Sequence, residues 1–185
     1  MHRIAGLFLR MLGWRLEGDI PQEQKYIIAV APHTSYWDFV IGRLVATVMR
    51  QNVHFLIKKE LFFFPYCMLL KALKAIPINR KAPKSMVESV VEKMNDNQKF
   101  VLVITPEGTR KKTVHWKKGF YFLSQKANIP ILPAAIDYSK KKVMLGKILY
   151  PSDNERTDFE SLIKFYKFVN PEPRFGNQFA YPQKY

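Results

Sequence analysis

Short apolar runs alternate with helical stretches along most of this chain, and this alternation constrains the fold more than any other feature. Apolar runs separated by helices indicate an α/β fold with a mainly parallel or mixed sheet flanked by helices. In such folds, functional sites gather where strands end. We predict strands at Tyr26–Ala31, Val53–Ile57, Ala75–Ile78, Phe100–Ile104 and Ile131–Ile136, and helices at Trp37–Arg50, Glu60–Lys74, Pro83–Asn95 and Lys118–Asn128.

The rest of the chain predicts a smaller addition to the same fold. Lys142–Tyr150 is typical of a short hairpin or edge strand bent at Gly146, and Thr157–Glu160 resembles a capping box that opens a helix reaching about Val169. The 185 residues, 48% of them hydrophobic, suit one domain with a substantial core. We therefore predict an amphipathic N-terminal segment at residues 1–25 and a single domain at residues 26–185.

Two apolar stretches with neighbouring positive charge are candidates for contact with a membrane. The first is a predicted N-terminal amphipathic helix, which either lies in a membrane interface or docks on the core. The second is the aromatic-rich run Leu61–Leu70, flanked by lysines, which suits either a lipid headgroup boundary or the core. The apolar stripe of the predicted N-terminal helix comprises Ile4, Leu7, Phe8, Met11 and Leu12.

The formal net charge of +15 predicts an anionic partner: nucleic acid, an acidic lipid surface or a phosphorylated substrate. A non-enzymatic basic module that binds nucleic acid or membrane is one reading of this charge. No RNA-recognition pattern, helix-turn-helix or zinc knuckle supports it, so we expect no nucleic-acid partner. Four scattered histidines and a single cysteine also predict no metal site.

The segment His33–Asp38 follows the first predicted strand and is the first catalytic candidate. Histidine is the side chain best suited to accept a proton from a hydroxyl at neutral pH, and a carboxylate on its other ring nitrogen fixes the tautomer. Residues five apart do not share a helix face, so His33 and Asp38 meet only if the chain turns between them. The alternative is structural, because Ser35–Asp38 also matches a capping box.

Two further strand ends carry candidate binding residues. Phe100–Ile104 leads into a loop with a carboxylate, a hydroxyl and a guanidinium, in which Gly108 permits a close backbone approach and Arg110 suits phosphate. Arg80 follows Ala75–Ile78 in the same way, although an exposed arginine after a strand is common. The second loop thus contributes Glu107, Gly108, Thr109 and Arg110.

In order along the chain, these blocks resemble the motifs of the glycerolipid acyltransferase superfamily, which includes bacterial 1-acylglycerol-3-phosphate acyltransferase. His33 and Asp38 match the H-x4-D block, Arg80 the second block, Glu107–Arg110 the E-G-T-R block and Pro133 the proline of the fourth block. The resemblance covers about Tyr26–Tyr138. It rests on four separated motifs in family order.

The resemblance implies that His33 deprotonates an acceptor hydroxyl, oriented by Asp38, and that the oxygen attacks a fatty acyl thioester. Coenzyme A or acyl carrier protein would be the leaving thiol, with no bound cofactor. Arg80 and Arg110 would hold an anionic acceptor head, shaped by the rest of the E-G-T-R block. We expect 1-acyl-glycerol-3-phosphate as acceptor, another lyso-lipid such as an aminolipid as the alternative, and peripheral association with the cytoplasmic face of an anionic membrane.

Overall fold

A mixed sheet forms the centre of the molecule, as the computed structural model shows for residues 2–79, 82–176 and 179–182. Within these ranges the sheet has seven strands in the order β1-β7-β6-β2-β5-β3-β4. Strands β2 to β6 run parallel to one another, whereas β7 is antiparallel to β6 and β1 is parallel to β7. The strands are β1 Arg15–Glu17, β2 Lys25–Val30, β3 Val53–Lys58, β4 Ala75–Ile78, β5 Phe100–Ile104, β6 Ile131–Asp137 and β7 Lys142–Leu145.

Helices cover both faces of this sheet, so the predicted α/β class and single-domain architecture are confirmed. The division of the chain at residue 25 stays a prediction, although β1 precedes that point and already belongs to the sheet. Over the described residues the helices are α1 His2–Met11, α2 Trp37–Val48, α3 Tyr66–Ala72, α4 Pro83–Asn95, α5 Gly119–Ala127 and α6 Glu155–Val169.

The side chains of β2 alternate between the two halves of the core, because successive residues of a strand point to opposite faces. Tyr26 and Ile28 pack with residues of α1 and α2, whereas Ile27 and Ala29 pack with residues of α4, α5 and α6. A strand buried on both faces is a continuous apolar run, as the sequence predicted. Both helical layers thus fix β2, and the loop that follows it leaves the sheet from a rigid support.

Helix α1 docks on α2 through a narrow edge and leaves its predicted apolar stripe outside. Ala5 and Leu9 are buried. All five residues of the stripe are exposed, with relative accessibilities from 46% to 73%. The helix therefore contacts the core through the narrow face that contains Ala5 and Leu9. Its broader apolar face has no cover from the described part of the chain. Those five residues are Ile4, Leu7, Phe8, Met11 and Leu12.

The continuous helix predicted at Glu60–Lys74 is wrong. A 3-10 turn at Lys59–Leu61 is followed by a break, and α3 begins only at Tyr66. Pro65 lies at the break, where it lacks a backbone donor and disfavours helical geometry in the preceding residue. The break leaves Phe63 and Phe64 exposed, so part of the predicted apolar run lies on the surface.

Two details of the chain after β6 also differ from prediction. Helix α6 begins at Glu155 because the Asn154 side chain accepts a hydrogen bond from the Thr157 amide, so the predicted capping box at Thr157 is not the cap. The strand at Lys142–Leu145 forms an antiparallel hairpin with β6, but it is not an edge strand, because β1 pairs with its outer side. Among the described residues, no helix has both the length and the apolar character needed to cross a membrane.

Candidate active site

The candidate residues gather at the carboxyl edge of the sheet, where three neighbouring parallel strands end. Ala29 of β2 pairs with Ile104 of β5, and Val30 of β2 pairs with Ala134 of β6. The loops that follow β2, β5 and β6 therefore leave the sheet side by side. This register brings the H-x4-D block next to the E-G-T-R block, and two hydrogen bonds join them, each between residues 74 positions apart in the chain.

His33 and Asp38 form a hydrogen-bonded pair, as the turn between them required. The distance from His33 Nδ1 to Asp38 Oδ2 is 3.0 Å. Because an ionised carboxylate only accepts, this contact selects the tautomer with the proton on Nδ1 and leaves a lone pair on Nε2. The His33 side chain is 23% exposed and that of Asp38 is 3% exposed. The carboxylate is thus enclosed, while the imidazole reaches the surface.

The Asp38 carboxylate is held by donors on both oxygens. Oδ2 accepts from the backbone amides of Thr34 and Ser35, each at 2.9 Å, and Oδ1 accepts from the Tyr138 hydroxyl at 2.6 Å. Burial acts to raise the pKa of Asp38, but the hydrogen bonds from His33, Tyr138 and Ser35 outweigh it and lower the pKa below its usual value. Asp38 is therefore a buried, ionised partner for an imidazolium.

The same contacts explain why this segment also resembles a helix cap. Tyr36, the N-cap residue of α2, makes no side-chain capping bond. Asp38 instead reaches back to the amides of Thr34 and Ser35, and the Ser35 hydroxyl accepts from the Trp37 amide at 3.1 Å. One carboxylate both ends the loop and orients the histidine. The structural and catalytic interpretations of the sequence are compatible at this position.

Glu107 joins the second loop to His33 through the backbone. Its Oε2 accepts from the His33 amide at 2.8 Å, and the residue is only 4% exposed. Burial raises the pKa of Glu107 to about 8, with the His33 amide opposing the rise and the Asp38 charge adding to it. Near neutral pH its carboxyl group is thus largely protonated. We predicted Glu107 as a substrate-binding residue, and its contact is with the residue proposed as the base.

The remaining E-G-T-R residues occupy the same loop in different ways. Arg110 stacks over the Tyr36 ring, with 3.6 Å from Cζ to the ring centroid, and donates to the Tyr36 hydroxyl at 2.8 Å. Gly108 has φ of +63°, and a Cβ there would lie 2.8 Å from the Lys117 side chain. Thr109 Oγ1 accepts from the Lys111 amide at 3.1 Å. The left-handed backbone therefore favours glycine at this turn, and Arg110 is placed beside the H-x4-D loop.

Not all predicted residues can be placed. Arg80 lies outside the described residues, so its position relative to His33 stays a prediction. Pro133 lies inside β6 opposite Ala29 of β2, where it is buried and contributes to the sheet under the site. In the part of the chain that the structure describes, no group of three or more histidine, cysteine or acidic side chains is arranged to hold a metal ion.

Two residues at this edge were not predicted from the sequence. Tyr138 directly follows β6, so its position after a predicted strand was a signal that a search of every strand end would have found. Arg174 has no such signal: it follows α6, and its Cζ lies 5.3 Å from the centroid of the Trp37 ring. The backbone beside it contacts the site as well, since the Phe175 amide donates to Thr34 Oγ1 at 3.4 Å.

The comparisons with known proteins bear on the same region. A family model described as Acyltransferase matches residues 15–137, which contain the H-x4-D and E-G-T-R blocks. Comparison with curated proteins and with solved structures found no significant match.

Proposed function

This chain belongs to the acyltransferase family, and we propose that it transfers a fatty acyl group from an acyl thioester to the hydroxyl of a lyso-glycerophospholipid. The acceptor that we propose is 1-acyl-glycerol-3-phosphate. Acyl transfer in lipid metabolism follows from the family, and the acceptor is the finer step. The observation that carries the proposal is the hydrogen-bonded His33–Asp38 pair. Its carboxylate is buried, and its imidazole is partly exposed at the carboxyl edge of the sheet.

In the proposed reaction, His33 Nε2 removes the proton from the acceptor hydroxyl as its oxygen attacks the thioester carbonyl carbon. A carbon–oxygen bond forms, the carbonyl oxygen becomes an oxyanion, and its collapse breaks the carbon–sulfur bond. The imidazolium then gives its proton to the departing thiolate, which returns His33 to its starting state. Asp38 stabilises the imidazolium between these two proton transfers. The acyl group passes directly to the acceptor in this scheme, with no acyl-enzyme.

We assign the anionic head of the acceptor to Arg110, together with Arg80. Arginine offers a planar fork of donors that matches phosphate oxygens. The support for Arg110 is its place beside the histidine loop, held on the Tyr36 ring. Glu107, Gly108 and Thr109 would shape this anion site by fixing the loop. Either coenzyme A or acyl carrier protein supplies the thioester in this proposal.

We further propose that the protein works as a peripheral protein at the cytoplasmic face of an anionic membrane. Three observations support the association with an anionic membrane. The α1 stripe is exposed, the break and the first residue of α3 present Phe63, Phe64 and Tyr66 to solvent, and the net charge is +15. Apolar side chains buried in the headgroup region and cations above it would act together. The exposed aromatic segment also offers a surface for the acyl chain.

The test is an acyl transfer assay with acyl-coenzyme A and acyl carrier protein thioesters and a panel of lyso-lipids, with products identified by mass. We expect acylated lysophosphatidate to form fastest. Arg110→Ala should then raise KM for that acceptor more than for a lyso-lipid without an exposed phosphomonoester. Faster acylation of an aminolipid would replace the acceptor, and no transfer to any lyso-lipid by either donor would contradict the proposed function.

A further inference from the structure

We propose that Tyr138 is a positioning residue of this site: its hydroxyl fixes the Asp38 carboxylate in the orientation that holds His33 in the reactive tautomer. The inference rests on the proposed function for its kinetic consequence, and on geometry alone for its structural one. Tyr138 lies just beyond the family match, which ends at residue 137. It is also 100 residues from Asp38 in the chain.

The two oxygens of Asp38 have different supports. Oδ2 is bound by the His33 ring and by the amides of Thr34 and Ser35, all from the loop that precedes α2. Oδ1 is bound by the Tyr138 hydroxyl at 2.6 Å, from the chain just after β6. A carboxylate bound on one oxygen alone retains freedom to rotate about its side-chain bonds. The bond from Tyr138 removes that freedom and ties the loop to a second strand.

Tyr138 is itself held firmly enough to act as a reference point. Its ring meets the edge of the Trp14 ring, with centroids 5.0 Å apart and planes at 90°. Its backbone amide donates to the Glu172 carbonyl at 2.8 Å. Burial raises the pKa of the Tyr138 phenol, and the bond to Asp38 raises it further, so the hydroxyl keeps its proton at working pH. The segments before β1 and after α6 thus both support this tyrosine.

The charged groups around this network favour one arrangement. Asp38 faces His33 on one side and the Tyr138 phenol on the other, Glu107 approaches from the loop after β5, and Arg174 acts on Tyr138 from the segment after α6. The hydrogen bond that the phenol donates to Oδ1 lets that oxygen remain ionised while it is buried. Without the phenol, water would bind Oδ1, or the carboxylate would rotate to reach another donor. The hydrogen bond with His33 Nδ1 would then form in only some orientations of the carboxylate.

The test compares Tyr138→Phe with Tyr150→Phe. Tyr150 donates to Glu23 at the same distance, 2.6 Å, but at the opposite edge of the sheet, so it is a matched loss of one tyrosine–carboxylate bond. We expect Tyr138→Phe to lower kcat about ten- to one-hundred-fold, as for loss of a charge-assisted hydrogen bond, with KM little changed. Tyr150→Phe should keep the wild-type kcat.

A second readout does not depend on activity. Nitrogen NMR shifts of the imidazole ring report the tautomer population, and His33→Ala identifies the His33 signals among the four histidines. We expect the Nδ1-protonated form to dominate in the wild type and in Tyr150→Phe and to lose population in Tyr138→Phe. Wild-type tautomer populations in folded Tyr138→Phe, or an unchanged kcat, would overturn the positioning role. A wild type without acyl transfer would contradict the proposed function, and the tautomer measurement would still decide the role of Tyr138.

Discussion

Two tyrosine–carboxylate pairs at opposite edges of the sheet show how burial changes what the same hydrogen bond can hold in place. Tyr138 donates to Asp38 at the carboxyl edge, and Tyr150 donates to Glu23 at the amino edge, both at 2.6 Å. Asp38 is 5% exposed and Tyr138 is half-buried, whereas Glu23 is half-buried and Tyr150 is 62% exposed. Water competes for the bond at the amino edge and has little access at the carboxyl edge. The buried pair can therefore fix a geometry, and the exposed pair cannot.

The pKa values of the two carboxyl groups reflect this difference. Glu23 has a lowered pKa mainly because Tyr150 donates to it. Asp38 has a lowered pKa even though burial acts to raise it, because several donors together overcome the cost of desolvation. A carboxylate that must be ionised while buried needs every donor around it. Loss of any one partner should therefore have a larger effect at the carboxyl edge.

The largest expected effect is on catalysis by Asp38→Asn. An amide preserves the size of the side chain but presents the wrong hydrogen-bonding group to His33 Nδ1, so the tautomer with a free Nε2 is lost. We expect kcat to fall about 1,000- to 10,000-fold, by analogy with the carboxylate of a serine-protease triad. Glu23→Gln, the matched change at the amino edge, should retain wild-type kcat. Comparable rates for the two variants would remove the distinction between the edges.

The second-largest expected effect is on the pH dependence of folding stability, and it has opposite directions for Glu107 at the carboxyl edge and Glu23 at the amino edge. Burial raises the pKa of Glu107 to about 8 from its ordinary value of 4.5, so the folded protein binds a proton that the unfolded chain releases. The contribution of this bound proton to the stability of the wild type is therefore lost as pH rises from about 4.5 through 8. Glu107→Gln still accepts from the His33 amide and escapes this loss. We expect its stability relative to wild type to increase over that range by a few kcal/mol, because each tenfold change in proton affinity corresponds to about 1.4 kcal/mol.

Urea unfolding at several pH values measures this difference. Glu23→Gln is the control, because the lowered pKa of Glu23 stabilises the fold above the unfolded-state pKa and loses that contribution as pH falls through the folded-state pKa. Its stability relative to wild type should fall slightly as pH rises toward about 4.5 and stay level from 4.5 to 8. A Glu107→Gln curve parallel to wild type from pH 4.5 to 8 would show that Glu107 is ionised in the folded protein.

The smallest expected effect concerns the surface near the carboxyl edge. Trp14, three residues after the end of α1, contacts Tyr138, so the C-terminal end of α1 lies on the same side of the sheet as the site. Replacing Leu7 and Phe8 by serine should weaken binding to anionic vesicles about tenfold, since each side chain contributes only partial burial. Serine at Phe168, an exposed aromatic residue of α6, is the control. Unchanged sedimentation with vesicles would contradict the role of the stripe.

Much of the fold could be predicted because local patterns determine it. The runs that became β2, β3, β5 and β6 are apolar over nearly their whole length, and their bounds differ from prediction by about one residue at either end. The helix predicted from residue 60 is wrong because Pro65 interrupts a run whose composition otherwise favours a helix. For α1, the stripe was found but its direction was not, since an amphipathic pattern does not tell which side meets the core.

The site could be predicted only where its members are close in the chain. His33 and Asp38 are five residues apart, and the turn between them follows from Pro32 and the polar residues after the histidine. Tyr138 and Glu107 reach the pair through the register of β6 and β5 with β2, which no local pattern specifies. The contribution of Arg174 depends on the path of the chain after α6, which sequence alone left open.

The central claim is that the partly exposed His33 imidazole, held by Asp38, takes the proton from the acceptor hydroxyl. The most direct measurement is the initial rate of acylated lyso-lipid formation by wild type, His33→Ala and His115→Ala, with folding checked by circular dichroism. His115 is an exposed histidine in the loop between β5 and α5, and its variant should retain the wild-type rate. We predict that His33→Ala loses at least about 100-fold. A folded His33→Ala protein that acylates at the wild-type rate would contradict the account.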